Sequence, residues 1–373
     1  MLLYFSVGGF CSFKDTQDLF LTAYSGTRLK NTKYEKNFYI DKSNRVMKSA
    51  VVFGANASGK TNLILGIERL KEIISNGINL PKDFNEKNLN YDSESIKFEI
   101  GILDQKKNVY DYSIEFKKEK LIYEKLECND KVMYEFKDDI LSSKKLPKEI
   151  LRIFSISSTE TILKKLRDFQ LEEIKDFTLS LSDVIIKRNK GINYESKDVP
   201  STITENVKLR LEDKKKDVLQ IVKLLDYTVE DFQFEKLGAV NDEVMYDIYF
   251  LRENTKNKFY LGNESEGIRK IINLMLGLLE IYDGKTVVID ELDSSISTVS
   301  LIKLFNNFIN VDDNLKGLFL FDNNIFEPQQ IYIVNKKEDL TSELYSLSEF
   351  KIRSEKENLY HDFLKGKYGG ING

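Results

Sequence analysis

Gly54-Ala55-Asn56-Ala57-Ser58-Gly59-Lys60-Thr61 follows the spacing G-x-x-x-x-G-K-T, a pattern suited to gripping phosphate. Glycines let consecutive backbone N–H groups curl around anionic oxygens, and a helix beginning there adds partial positive charge. In such a loop Lys60 reaches the β- and γ-phosphates and the Thr61 hydroxyl ligates Mg²⁺. Gly54, Asn56, Ala57, Ser58, Gly59 and Asn62 complete the candidate nucleotide-binding set. A second constellation follows the apolar run Thr286-Val287-Val288-Ile289, which ends in Asp290 and Glu291. Asp290 is placed to hold Mg²⁺, and Glu291 to polarise an attacking water as the catalytic base. A third is Ser265-Glu266-Gly267 at the start of an amphipathic stretch. Its hydroxyl and backbone N–H groups suit a second phosphate, although Ser265 also reads as an ordinary helix N-cap.

The elements that must position these residues are legible in the hydrophobic pattern. Ala50-Val51-Val52-Phe53 is a strand feeding the loop, and Leu63, Ile64, Ile67, Leu70, Ile73 and Ile74 mark one face of a helix over 61–76, with Gly77 placed to end it. Strands are expected at Leu2–Val7 and Leu19–Thr22, and a loop over residues 25–48. Alternation from Ile96 to Tyr134 predicts an antiparallel meander. Residues 147–226 read as mostly helical, with strands returning near 228–234 and 246–251. Ile268 to Tyr282 follows one helical face closed by Gly284, and Thr286–Ile289 reads as a buried strand. A further helix over 301–308 and strands at 318–321 and 331–334 finish the chain.

Bulk properties narrow the classes. In 373 residues, 41% are hydrophobic and 31% charged, which fits a globular domain large enough for a substantial core. No apolar run approaches the ~20 residues of a membrane span, and the start lacks the basic region of a secretory signal. The two cysteines, Cys11 and Cys128, offer no disulfide framework, so a cytoplasmic location is expected. A net charge of −4 argues against wholesale nucleic-acid coating and leaves DNA contact open only through a local patch.

Thr61 and Asp290 stand more than half the chain apart, further than a compact AAA+ core places these parts. The landmarks Phe10–Asp15, Lys48–Ala50, Gly54–Leu63, Glu264–Gly267, Asp290–Ser295, Glu343–Leu347 and Leu364–Gly369 follow one another along almost the whole sequence. In these the chain resembles the ABC-type ATPases of the RecF/SMC/OLD group, and among them the short bacterial RloA/AbiL-like members of AAA_15/AAA_21 type. The resemblance implies an α/β, ABC-type P-loop NTPase core with an antiparallel β subdomain and an inserted helical subdomain. It divides the chain into an N-terminal ATPase lobe (1–146), a helical insertion (147–226) and a C-terminal lobe (227–373). It implies ATP and Mg²⁺ as cofactors, held in a homodimer or higher even-numbered oligomer, with Ser265 and Gly267 of one copy closing over Lys60 of another.

The chain departs from that group where Leu320-Phe321-Asp322-Asn323-Asn324 lacks the histidine that contacts the γ-phosphate; the single histidine is His361. Ile296-Ser297-Thr298 replaces a Leu-His-Pro pattern, and Cys11 stands where a basic residue is usual. Losing one transition-state contact is commonly worth ~3 kcal/mol, so slow hydrolysis is expected. No sustained heptad repeat predicts a long coiled-coil arm, and the stretch after Glu291 is under a quarter of the chain, too short to add a nuclease to the ATPase core. The resemblance then implies a regulatory or sensor ATPase of an anti-phage, abortive-infection system whose effector, a nuclease or other toxin, is a separate protein. Two alternatives are a RecF-like DNA-repair or DNA-sensing ATPase and a nucleotide-gated scaffold with negligible hydrolysis.

Overall fold

The computed structural model describes residues 1–23, 32, 34–40, 44–78, 87–118, 120–148, 151, 160–167, 169, 171–187, 202–240, 243–269, 272, 280–281, 283–290, 326–350, 362–363 and 365–370. The chain divides into two units, Met1–Ile186 with Phe321–Gly373, and Lys187–Leu320. It opens with strands β1 (Leu2–Gly8), β2 (Gln17–Phe20), β3 (Phe38–Ile40), β4 (Arg45–Met47) and β5 (Val51–Phe53), then helix α1 (Lys60–Asn76). The meander follows as β6 (Ile96–Leu103), β7 (Val109–Lys117), β8 (Lys120–Cys128), β9 (Lys131–Lys137) and β10 (Ile140–Ser142). Helices α2 (Ile162–Arg167) and α3 (Glu172–Ser182) and strand β11 (Val184–Lys187) come next. Then come β12 (Thr202–Thr204), α4 (Glu205–Asp213), α5 (Lys215–Leu225), β13 (Val229–Val240), β14 (Glu243–Arg252), β15 (Phe259–Tyr260) and β16 (Thr286–Ile289). Strands β17 (Ile331–Lys336) and β18 (Ser342–Ser346) return to the first unit.

The expected meander is present and is joined by the N-terminal strands in one seven-stranded antiparallel sheet, ordered β10-β9-β8-β7-β6-β1-β2. Strict alternation explains its inner face. Tyr110, Tyr112, Ile114 and Phe116 of β7 are buried, while Asp111, Ser113 and Glu115 between them are less so. Phe98 of β6 anchors an aromatic cluster, with Phe5 and Phe10 at ring-centroid distances of 6.1 and 5.3 Å. Beside it lies a second sheet, β18-β17-β5, in which β17 runs parallel to β5. That parallel pairing fixes the strand that delivers the phosphate loop.

Two corrections concern the N-terminal region. The second strand ends at Phe20 rather than spanning Leu19–Thr22. The segment read as a loop over 25–48 contains the hairpin β3–β4 and a 3₁₀ turn at Glu35–Asn37. Strands of three residues are too short to show alternation, and they form because Phe38, Val46 and Met47 find buried sites. The buried Gln330 amide then ties this hairpin in: Oε1 accepts from Asn37 Nδ2 at 2.8 Å, and Nε2 donates to the Ser49 carbonyl at 2.8 Å.

Helix α1 starts one residue before its expected bound and buries the predicted apolar face; Gly77 ends it at φ 103°. Its carboxyl end is covered by α2, whose Lys164 and Arg167 donate to the carbonyls of Asn76 and Ser75 at 3.1 and 2.9 Å. Cations there meet the negative end of the helix dipole. The amino end of α2 is in turn held by Glu124 of β8, whose carboxylate accepts from the N–H groups of Ile162 and Leu163 at 2.6 and 2.9 Å.

In the second unit β13 and β14 form a long hairpin, with β12 and β15 both paired to β14. Both hairpin strands run past their expected limits; of the face Val218, Ile221, Val222 and Leu225 that helical spacing gives α5, the first three are buried and Leu225 is partly so. Of the helix expected over 268–282, the described residues 266–269, 272 and 280–281 are helical, and the Gly284 N–H donates to the Ile281 carbonyl. Strand β16 forms as expected with Val287, Val288 and Ile289 buried. The helix expected over 301–308 and the strand over 318–321 lie outside the described residues, and no described helix is long and apolar enough to cross a membrane.

Candidate functional site

Strand β5 ends at Phe53, and the chain turns through Gly54–Gly59 into α1, the strand–loop–helix order that the motif requires. Two glycines make the turn feasible. A Cβ on Gly54 would stand 2.3 Å from the carbonyl oxygen of Val334 in β17. Gly59, the N-cap of α1, sits at φ 117°, and a Cβ there would meet the hydroxyls of Ser342 and Ser12 at 2.5 and 2.7 Å. The N-cap therefore brings no side chain to the first N–H groups of a 17-residue helix, which have no partner inside the helix itself. The Lys60 ammonium lies over the loop, donating to the carbonyls of Gly54 and Ala55 at 2.6 and 2.8 Å. Asn56, Ala57 and Thr61 are exposed, and Ala57 adopts φ 62°. A lysine, an exposed threonine hydroxyl and a helix amino end thus share one surface, a donor set suited to a phosphate chain with a magnesium ion.

Residues from four segments that are distant in sequence meet at the back of this loop. The Ser342 hydroxyl donates to the Ser58 carbonyl and lies 2.7 Å from the Ser12 hydroxyl, which accepts from Asn62 Nδ2 at 2.8 Å. The Ser342 N–H donates to the Ser12 carbonyl at 2.7 Å, and the Ala55 N–H to the Gly370 carbonyl at 2.7 Å. Ser58 is buried, and its own hydroxyl finds no partner among the described residues. Asn62, expected to face nucleotide, uses its amide to brace the loop from behind. Ser342 escaped the sequence reading, because the Glu343–Leu347 landmark begins one residue later and a serine entering a strand carries no signal of its own.

Cys11 stands beside this brace at φ 51°, with its thiol donating to Asn88 Oδ1 at 3.3 Å. Burial pushes the thiol up to about 11. It stays protonated at neutral pH and supplies no charge where the resemblance leads one to expect a cation.

Ser265, Gly267 and Asp290 belong to the second unit. Ser265 is exposed, and its hydroxyl accepts from the Ile268 N–H at 3.3 Å, the N-cap geometry left open above. The preceding Glu264 is anchored by Arg252, whose guanidinium donates to both of its carboxylate oxygens at 2.8 and 2.9 Å and to Asp226 at 2.9 Å. Its hydrogen bonds to Glu264 hold this guanidinium above its usual range. The Arg252 side chain also lies over Phe259, 4.5 Å from the ring centroid. This anchor was missed because nothing in the spacing of β14 links Arg252 to a residue twelve positions later. With the Glu264 side chain only 7% exposed, Arg252→Ala is expected to destabilise the fold by about 3 kcal/mol through the uncompensated carboxylate. Urea unfolding measures it, and a change under 1 kcal/mol would show that the pair anchors nothing.

The Asp290 N–H donates to the Lys187 carbonyl at 3.0 Å, setting Asp290 at the end of β16 as the motif requires. Glu291, Leu292, Asp293, the 320–324 stretch and His361 lie outside the described residues. Among the described residues no group of three or more His, Cys, Asp or Glu side chains gathers to hold a metal.

Two solved structures of the recombination mediator protein RecF of the RecFOR pathway are similar to this chain. The RecF–ATPrS structure aligns over 92% of this chain and 98% of its own, at 11% identity and a TM-score of 0.41. The RecF–ATP structure aligns over 92% and 97%, at 12% identity and a TM-score of 0.37. No curated protein sequence matches. The model of the AAA_21 family, an AAA domain described by reference to the AbiEii toxin and type IV TA systems, matches residues 49–314. That span runs from the strand before the phosphate loop past Ser265, Asp290 and Glu291, and with most of its length so matched the chain belongs to the AAA_21 family of ATPase-type AAA domains.

Proposed function

We propose that this protein binds ATP with Mg²⁺ in the 54–61 loop, hydrolyses it slowly, and serves as the regulatory or sensor ATPase of an anti-phage defence system whose effector is a separate protein. The observation that carries the nucleotide reading is the amino end of α1, where the Gly59 cap brings no side chain and Lys60 and the exposed Thr61 follow. Lys60 turns from the loop carbonyls to the β- and γ-phosphates, and the backbone N–H groups of residues 56–61 surround the remaining oxygens. Magnesium, when bound, neutralises charge on the phosphate oxygens; Thr61 and Asp290 would hold it. Glu291 accepts a proton from the attacking water, and Ser265 with Gly267 of a second copy closes the site in a homodimer or higher even-numbered oligomer. The defence role is supported by the description of the family, which refers to the AbiEii toxin and type IV TA systems.

Phosphate release by wild type and Glu291→Gln tests the enzymatic part. The variant is expected to release phosphate at least ~10²-fold more slowly, the usual scale for removing a general base. Equal rates would leave only a nucleotide-gated scaffold. Salt-sensitive, ATP-dependent binding of DNA by the purified chain would instead move the role toward DNA sensing.

A further inference from the structure

Resting on the nucleotide reading above, we propose that the paired hydroxyls of Ser12 and Ser342 are positioning residues that set the aim of the phosphate loop's backbone donors. A peptide unit is planar and trans, so its carbonyl and N–H point in opposite directions. The Ser342 hydroxyl holds the Ser58 carbonyl on the buried side of the loop, and this turns the N–H of Gly59, in the same peptide unit, away from Ser342. That N–H belongs to the first donors of α1, where a phosphate would sit. Ser342 is itself 2% exposed and is fixed by its backbone bond to Ser12. Ser12 in turn takes the Asn62 amide, which stands on the first turn of α1. Three segments of chain therefore lock one peptide plane: the turn after β1, the first turn of α1 and the start of β18. Gly59 is obligatory in this arrangement, because a Cβ would occupy the space the two hydroxyls fill.

The clamp touches no nucleotide, so it acts on affinity through the loop. Titration with fluorescent mant-ATP and Mg²⁺, beside melting of the nucleotide-free protein, reads that action. Ser342→Ala and Ser12→Ala are each expected to weaken MgATP binding about tenfold, the scale of one lost buried hydrogen bond. Melting without nucleotide is expected to fall by only a few degrees. A lowered melting temperature with wild-type affinity would mean a purely structural bond and overturn the clamp, as would wild-type affinity with no change in melting. If Ser342→Ala does not fold, Ser12→Ala decides by the same two readings. Absence of MgATP binding by wild type, with a titration matching that of Lys60→Ala, would instead remove the nucleotide reading and the clamp with it.

Discussion

Lys60→Ala is expected to abolish the gain in thermal stability that MgATP gives the wild-type protein. At a ligand concentration near 100 times Kd, binding to the native state alone adds about 2.7 kcal/mol, readily seen as a shift in melting temperature. Lys60 contributes the one side-chain cation of the loop sequence, and its ammonium already lies within 2.8 Å of two loop carbonyls. Removing it takes away the countercharge for the β- and γ-phosphates and leaves the two carbonyls facing the same space, which repels an anion. Without nucleotide the variant is expected to melt close to wild type, because the brace formed by Ser12, Asn62, Ser342 and Gly370 does not involve the lysine. A MgATP-dependent shift that survives Lys60→Ala would place the nucleotide elsewhere.

Glu124→Ala is expected to be the most destabilising single change named for this protein, costing about 4 kcal/mol. The Glu124 carboxylate is fully buried and accepts four hydrogen bonds: from the hydroxyls of Tyr112 and Tyr134 at 3.0 and 2.8 Å, and from the N–H groups that open α2. Alanine leaves all four donors without an acceptor in a dry site. The loss also frees α2, which covers the carboxyl end of the phosphate-loop helix through Lys164 and Arg167. Burial pushes the Glu124 carboxyl up to about 7, against the pull of its four donors. The sign of the pH effect follows. The native state holds this proton more tightly than the unfolded chain, so the group's contribution to stability is full below about pH 4.5 and is lost as pH rises through about 7. Urea unfolding at pH 5 and pH 8 should therefore show a falling component in wild type that Glu124→Gln lacks. Equal slopes in the two proteins would contradict it.

The position of Glu124 shows why part of the fold was not legible. Along β8 the simple alternation that marks a strand would put Ile122, Glu124 and Leu126 on one face. A register shift between β7 and β8 leaves Ile122 as the extra residue, exposed, while Leu121, Glu124 and Leu126 all turn inward. A bulge depends on the partner strand, and no periodicity within one strand reveals it. By contrast, α1 and β16 were readable because each carries a long or continuous apolar signal and a punctuating residue, Gly77 or Asp290. The phosphate loop was readable for a different reason: its glycines and lysine are constrained by local backbone chemistry alone. The residues behind the loop were not. Ser342 and Gly370 reach it only because β17 pairs with β5, which joins the end of the chain to its beginning.

The most direct test is a structure of Glu291→Gln crystallised with ATP and Mg²⁺. Density for a triphosphate against the backbone N–H groups of residues 56–61, within hydrogen-bond distance of Lys60 Nζ, is the expected result. A nucleotide bound away from this loop, or no nucleotide at saturating concentration, would contradict the central claim.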